Sequence, residues 1–169
     1  MTAESLQKKP SKYLPCLLTR LTDEHPFSKD DAGYDSAYAP EQLEHDILVN
    51  LVMLLNSHTA PGESIYLRQH YPEVAASGFQ YGIDSCTGYV VSGQRPTLIA
   101  QTVRRAIEIF EPRLEPGRTQ VKVITELSLH DKTAVHLEIS SRLAVKPLTQ
   151  DLYFRLRVDV ETGKTTLNS

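Results

Sequence analysis

The sequence predicts an α+β fold: a small single domain in which amphipathic helices pack on one face of a three-stranded antiparallel β-meander. Apolar residues recur at helical spacing in three segments before residue 111, and they alternate with polar residues in three runs after residue 120. A chain of 169 residues is long enough to bury a core. We expect residues 1–12 to form a flexible N-terminal segment and residues 13–169 to form the α+β domain.

The first two predicted helices each begin near a proline. A short helix is expected from about Pro15, and a longer helix from Pro40 to Asn56, because proline suits the first helical turn. The apolar face of the short helix comprises Leu14, Leu17, Leu18 and Leu21. The inward face of the longer helix comprises Leu43, Ile47, Leu51, Leu54 and Leu55. Since each fully buried aliphatic side chain contributes roughly 1.5–3 kcal/mol, the longer helix is expected to be a main core element.

Residues 58–95 contain frequent glycines and prolines, a composition that predicts turns and short elements. Within them, Tyr71–Ser77 favours one or two helical turns. A third helix is predicted over Pro96–Phe110, where apolar positions again recur at helical spacing. Pro112 ends this helix, because a proline disfavours the helical conformation of the residue before it and blocks continuation.

Three runs of alternating apolar and polar residues predict the strands. The first run contains Val121, Val123, Leu127 and Leu129. The second contains Val135, Leu137, Ile139, Leu143 and Val145. The third contains Leu152, Phe154, Leu156, Val158 and Val160. Short polar links, with His130 in a hairpin turn, favour a meander with one buried face, and an exposed edge of such a sheet can accept another chain's strand.

The composition predicts a soluble, cytoplasmic protein. The formal net charge of −3 gives no electrostatic reason to expect a nucleic acid partner. The two cysteines, Cys16 and Cys86, stand in unrelated contexts, which is typical of reduced thiols. The polar N-terminus lacks the apolar stretch of a signal peptide, and the longest apolar run, from Ile47 to Leu55, is far shorter than the roughly 20 residues of a membrane span.

No motif for catalysis or for binding a cofactor or metal is recognisable, so no catalytic residue, cofactor or metal is predicted. The glycine-rich phosphate-binding loops and the GxSxG elbow are missing from the sequence. The six histidines form no HxH or HxxxH pair, and a metal site needs three or four converging ligands.

The tripeptide Glu111-Pro112-Arg113 is the strongest candidate for a partner-binding site. It lies where the third helix gives way to the sheet, and it places an acid and an arginine on either side of a rigid break. The guanidinium group can bind both oxygens of a carboxylate. Glu111 as a glycosidase acid is disfavoured, because the positive charge of Arg113 favours the ionised carboxylate, whereas a general acid must hold its proton. An ordinary salt bridge at the end of a helix is the simplest alternative.

Several segments together resemble the TssE family of type VI secretion baseplate proteins, which are related to the lysozyme-like wedge components of contractile-tailed phages. Leu17–Glu24 is similar to the family's opening LLxRLTD segment, and Leu54–Ser57 to its leucine-rich helix closing on LLN. Tyr81–Asp84 is close to the family's NYGxxD segment, with Gln80 where the family commonly has asparagine. Ala106–Leu114 carries the family's EPR motif. These segments follow one another in the family's order along most of the chain.

The resemblance implies a structural, non-enzymatic role in the cytoplasmic baseplate, docked near the inner membrane. The implied partners are the baseplate proteins TssF, TssG and TssK and the sheath proteins TssB and TssC, and the implied task is to help initiate assembly of the contractile sheath. The resemblance also implies that Glu111, Pro112 and Arg113 bind a baseplate or sheath partner. No nucleic acid partner and no direct membrane insertion are expected.

Two other functions stay open. The name of the wider family suggests a peptidoglycan hydrolase of the lysozyme type, which a turnover assay would detect. An adaptor of the same fold that sequesters another protein is the second alternative. Such an adaptor would find its partner in a cell that lacks the secretion cluster, whereas a baseplate subunit would not.

Overall fold

The computed structural model describes residues 16–22, 26–27, 40–59, 63–85, 95–144 and 150–168. By the density of internal contacts the chain divides into two compact units, Met1–Asp46 and Ile47–Ser169. Predictions for the segment 1–12, Leu14, Pro15, Cys86 and Val145 lie outside the described residues and stay predictions.

In the first unit, helix α1 spans Leu17–Leu21, which confirms the short predicted helix. Cys16 caps it, since its Sγ accepts a hydrogen bond from the backbone N–H of Thr19. The Thr19 hydroxyl donates to Oδ1 of Asp46 at 2.7 Å, and Asp46 is buried. This hydrogen bond links α1 to the first half of the next helix. The leucines of α1, which are Leu17, Leu18 and Leu21, are exposed.

Helix α2 spans Pro40–Asn56, as predicted. All five residues of its predicted inward face are buried. Beyond it, Ile83 lies opposite His58 in a two-stranded parallel sheet. The elements of this region are β1 (His58–Thr59), α3 (Glu63–His70), α4 (Pro72–Ala75), a 3₁₀ turn (Gly78–Gln80) and β2 (Ile83–Asp84). The expectation of turns and short elements, with a helical turn after Tyr71, is confirmed.

Gly82 allows β1 and β2 to pair. Its φ of 125° lies in a region that side chains other than glycine rarely adopt. A Cβ at this position would stand 2.4 Å from the carbonyl oxygen of Ser57. The same oxygen accepts a hydrogen bond from the backbone N–H of Ile83 at 2.9 Å. A glycine is therefore required where β2 turns in beside the end of α2.

Helix α5 spans Arg95–Phe110 and is amphipathic, as predicted. Its buried face includes Ile99, Val103 and Ile107, whereas Leu98 is exposed. This face packs against the first strand of the main sheet.

The main sheet has four antiparallel strands in the order β3–β4–β5–β6, so the prediction of a three-stranded meander is wrong in the number of strands. The strands are β3 (Gln120–Val123), β4 (Ala134–Arg142), β5 (Asp151–Asp159) and β6 (Thr165–Asn168). The mixed helix-and-strand class and the consecutive antiparallel order agree with the expectation.

Two parts of the strand prediction need correction. Leu127 and Leu129 belong to helix α6 (Thr125–His130), and His130 ends that helix rather than forming a hairpin turn. Two apolar residues two positions apart fit a short helix as well as a strand, which is why alternation misassigned them. Strand β6 was missed because Leu167 is its single apolar residue, so it shows no alternation.

The core of the second unit combines the buried face of α5 with the inward residues of the central strands. These residues are Val135, Leu137, Ile139, Leu152, Leu156 and Val158. Because His136 alternates with Val135 and Leu137, a sheet with one buried face would expose it, but His136 is buried. Helix α6 contacts β4, and Asp131, which follows α6, lies 3.5 Å from Nε2 of His136. The first half of β4 is therefore covered on both faces.

Candidate partner-binding site

The Glu111–Arg113 segment forms a closed corner at the end of α5. Both oxygens of Glu111 accept hydrogen bonds from the Arg113 guanidinium, Oε1 from Nε at 2.6 Å and Oε2 from a terminal nitrogen at 2.7 Å. The Glu111 side chain is 5% exposed and that of Arg113 is 20% exposed. The predicted pair is thus made within the chain, and it is a partly buried, bidentate ion pair rather than the exposed salt bridge of the simplest alternative.

The backbone of the corner holds the end of α5 to the end of β4. The N–H of Glu111 still donates to the Ile107 carbonyl at 2.9 Å, and the N–H of Leu114 donates to the Glu111 carbonyl at 3.1 Å. The Arg113 carbonyl accepts from the N–H of Ala144 at 2.7 Å. Because the ion pair sets the path of the chain between these bonds, it stiffens the junction between helix and sheet.

Tyr81 lies close to this corner, although the sequence argument for the site, which used only the charges of Glu111 and Arg113, did not include it. Its ring packs edge-on against Phe110 with ring centroids 5.3 Å apart. Burial and the negative charge of Glu111 raise the pKa of the Tyr81 phenol. The one sequence feature that points to Tyr81 is its position in the Tyr81–Asp84 segment, which resembles the family's NYGxxD segment.

The outer edge of β6 is a second feature that local patterning missed. The side-chain amide of Asn56 binds the backbone of Thr165 twice: Oδ1 accepts from the N–H and Nδ2 donates to the carbonyl, both at 2.9 Å. The backbone groups of Thr165 therefore point away from β5. In an antiparallel pair this direction alternates, so those of Leu167 also point outward. Asn56 closes one position of the edge, and among the described residues no hydrogen bond reaches the outward backbone groups of Leu167, so that position is open there.

Two charged clusters of the main sheet are satisfied within the chain. Asp131 accepts hydrogen bonds from the N–H and hydroxyl of Thr133 and from Nε of Arg157, and these bonds lower its pKa from 3.8 to about 2. Arg142 binds Asp151 across β4 and β5 at 2.7 Å. Among the described residues, no group of three or more His, Cys, Asp or Glu side chains could hold a metal ion. Within the same residues, no helix combines the length and apolar character needed to cross a bilayer.

Comparison with known families gives one match. Residues 41–148, more than half of the chain, match the family described as baseplate wedge protein gp25. The matched region includes α2, the β1–β2 pair, α5, the Glu111–Arg113 corner, β3 and β4. TssE proteins belong to this same family. No curated protein and no solved structure shows significant similarity to the chain.

Proposed function

Because the chain belongs to the baseplate wedge protein gp25 family, we propose that it is the TssE subunit of a type VI secretion baseplate and helps to initiate assembly of the contractile sheath. Membership of the family gives a structural role in a phage-like baseplate and contact with other baseplate components. The TssE-like segments support the narrower assignment, in which the partners are TssF, TssG and TssK and the sheath proteins TssB and TssC. The proposed cellular location is the cytoplasm, beside the inner membrane.

The structural feature that best supports this proposal is the open position at Leu167 on the outer edge of β6. A free strand edge offers backbone donors and acceptors that another chain's strand can pair with. Asn56 blocks the edge at Thr165, so an incoming strand would pair from Leu167 onward and its register would be limited. We propose that a strand of a sheath or baseplate subunit is added here.

The sharpest test removes the outward donor of β6 and leaves its bonds to β5 in place. Leu167→Pro lacks the N–H that points away from the sheet, while Leu167→Ala removes the side chain and keeps that N–H. In cells that carry fluorescent TssB, we expect Leu167→Pro to abolish sheath foci and Leu167→Ala to retain them. Urea unfolding of both purified variants shows whether each is folded. Sheath foci at the wild-type number with a folded Leu167→Pro protein contradict strand addition at β6.

The Glu111–Arg113 corner is proposed to contact a partner through its exposed part. Glu111 is buried, so the contact would be made by Pro112, which is exposed, and by the accessible side of Arg113. Pro112→Glu changes this surface without removing the ion pair, and Pro116→Glu, at another exposed proline in the next turn, is the matched control. We expect Pro112→Glu alone to lose co-purification with TssF and TssG. Equal co-purification of both variants would remove the corner from the interface.

The proposed role is non-enzymatic. A general acid needs a carboxyl group that can release its proton to a substrate, and both Glu111 oxygens are occupied by the Arg113 guanidinium. We expect no turnover of peptidoglycan by the wild-type protein or by Glu111→Gln. Turnover that the wild type shows and Glu111→Gln loses would overturn this part of the proposal and restore the hydrolase alternative.

A further inference from the structure

A small pocket with polar and apolar walls lies beside α5, on residues that the Glu111–Arg113 corner does not use. Its cavity volume is about 40 Å³. The polar residues that line it are Thr59, Arg68, Gln80, Asp84, Thr102 and Arg105. Small-molecule sites usually measure roughly 300–1,000 Å³, so this pocket has room only for the end of one side chain.

Gln80 forms a buried wall of this pocket. The residue is 7% exposed, and its backbone N–H donates to the Ser77 carbonyl at 3.0 Å, within the 3₁₀ turn. Within the described residues its Oε1 atom has no hydrogen-bond partner, but that atom is closed to solvent and does not meet a group that enters the pocket. Polar recognition in this pocket therefore depends on the arginines.

The charges around the pocket leave an excess of one positive charge. Arg68 approaches Asp84 at 3.9 Å, and the Thr59 hydroxyl donates to the other oxygen of Asp84 at 2.9 Å. Arg105 makes no ion pair within the part of the chain that the structure describes. Burial and the charge of Arg68 lower the pKa of Arg105. A second guanidinium thus faces a carboxylate that is already engaged, so the pocket favours an anion.

The two residues that flank Gln80 in the sequence are aromatic and accessible. Phe79 is 80% exposed and Tyr81 is partly exposed. Phe110 lines the pocket and supports the ring of Tyr81. Aromatic residues and arginines are enriched among the residues that dominate binding energy at protein interfaces.

We propose that this pocket receives an aspartate or glutamate side chain of another baseplate subunit, whose carboxylate binds Arg105. The charge excess selects a carboxylate, and the volume limits it to the end of one side chain. The identity of the partner rests on the proposed function, whereas the recognition chemistry rests on the pocket alone.

A capped amino acid tests the recognition chemistry without any partner protein. N-acetyl-aspartate N-methylamide carries both the carboxylate and backbone N–H groups, and the asparagine analogue carries the same backbone without the charge. In an NMR titration we expect the aspartate probe to shift the Arg105 Nε–H and Gln80 side-chain amide signals saturably. The asparagine analogue, and the aspartate probe with Arg105→Gln, should bind at least tenfold more weakly. Arg104→Gln is the matched control, since Arg104 lies next in the helix but pairs with Glu108 outside the pocket.

Absence of a saturable shift, or equal binding by Arg105→Gln and the wild type, overturns the proposal. The unfolding midpoint of Arg105→Gln supplies a second check. It should match that of the wild type, so that weaker probe binding by this variant reports recognition and not loss of the fold.

The assembly decides whether the bound residue belongs to a baseplate subunit. We expect Arg105→Glu to bind a purified TssF–TssG complex at least tenfold more weakly than the wild type, and Arg104→Glu to bind it equally well. Unchanged binding by Arg105→Glu overturns the docking proposal. Failure of the wild type itself to bind TssF–TssG counts against the proposed function, and in that case the probe titration still decides whether the pocket binds a carboxylate.

Discussion

Two arginines near α5 have opposite surroundings. Arg113 is largely buried and both oxygens of Glu111 bind its guanidinium, so its charge is compensated within the chain. Arg105 lines a pocket beside Arg68, where the lining acid, Asp84, already pairs with Arg68. A satisfied pair stabilises the fold and offers little to a partner, whereas an arginine without a full counter-charge can gain free energy from a partner's carboxylate. The difference separates the residues that build the helix–sheet junction from those that are available for binding.

Reversing the charge at Glu111 should have the largest effect on stability. Glu111→Lys places a second positive charge against Arg113 in a buried position, and breaking a buried pair costs about 3–5 kcal/mol. We expect this loss in the free energy of unfolding, measured with urea. Asp151→Lys is the control, because Asp151 binds Arg142 at a similar distance of 2.7 Å but at the surface. That change should cost far less than Glu111→Lys, because solvent screens an exposed ion pair. A similar loss in the free energy of unfolding of the two variants would show that the Glu111–Arg113 pair contributes no more to stability than an exposed ion pair.

Gly82→Ala should remove the pocket by displacing β2. The new Cβ would meet the Ser57 carbonyl in a backbone conformation that already disfavours alanine. Strain of this kind costs about 1–3 kcal/mol, and the clash should place this variant at the upper end. We expect lower stability together with loss of probe binding at Arg105. Gly78→Ala is the control, since a Cβ there meets no atom within 4 Å. A stable Gly82→Ala protein that still binds the probe would show that the pocket does not depend on the pairing of β1 with β2.

Asn56→Ala should expose the edge of β6 at Thr165, which Asn56 covers in the wild type. It removes two hydrogen bonds to Thr165, at a cost of about 1–3 kcal/mol, and it uncovers the first position of the β6 edge. We expect lower stability in urea and a shift toward dimers in sedimentation, because free edges pair with one another. Asn56→Asp keeps the acceptor for the Thr165 N–H and loses the donor, so it should fall between the two. A monomeric Asn56→Ala protein would mean that Asn56 is not what keeps the edge of β6 from pairing with a second copy.

Long periodic segments could be predicted from the sequence, and features made by distant residues could not. Helices α2 and α5 carry their signal over many residues, so their bounds and buried faces were found almost unchanged. Strand β6 has too few apolar residues to show a period. The pairing of Glu111 with Arg113 followed from their spacing, but their burial depends on the packing around them. The pocket joins Thr59, Arg68 and Arg105 from separate elements, and no local pattern relates them.

The smallest effect is expected at Asp131, where a further arginine is compensated within the chain. Arg157 and Thr133 hold the carboxylate in its ionised form, so the pKa of Asp131 is about 2 in the folded protein and 3.8 when unperturbed. A folded-state pKa below the unfolded value gives a contribution that is complete above about pH 5 and is lost as the pH falls toward 2. We expect Asp131→Asn to lower stability by about 1–2 kcal/mol at pH 7 and to approach the wild type near pH 2. His136 and Asp159 also face this cluster, so the difference between the two proteins, rather than either curve alone, reports Asp131.

Thermal unfolding of both proteins from pH 7 to pH 2 measures that difference. Glu161→Gln, in the exposed turn that follows β5, is the control and should run parallel to the wild type throughout. If the difference in stability between the wild type and Asp131→Asn stays constant with pH, the substitution acts through packing. The charge of Asp131 would then not be stabilised by Arg157 and Thr133. If the difference closes as expected, the titration shows that Arg157 has its counter-charge within the chain, whereas Arg105 makes no ion pair among the described residues.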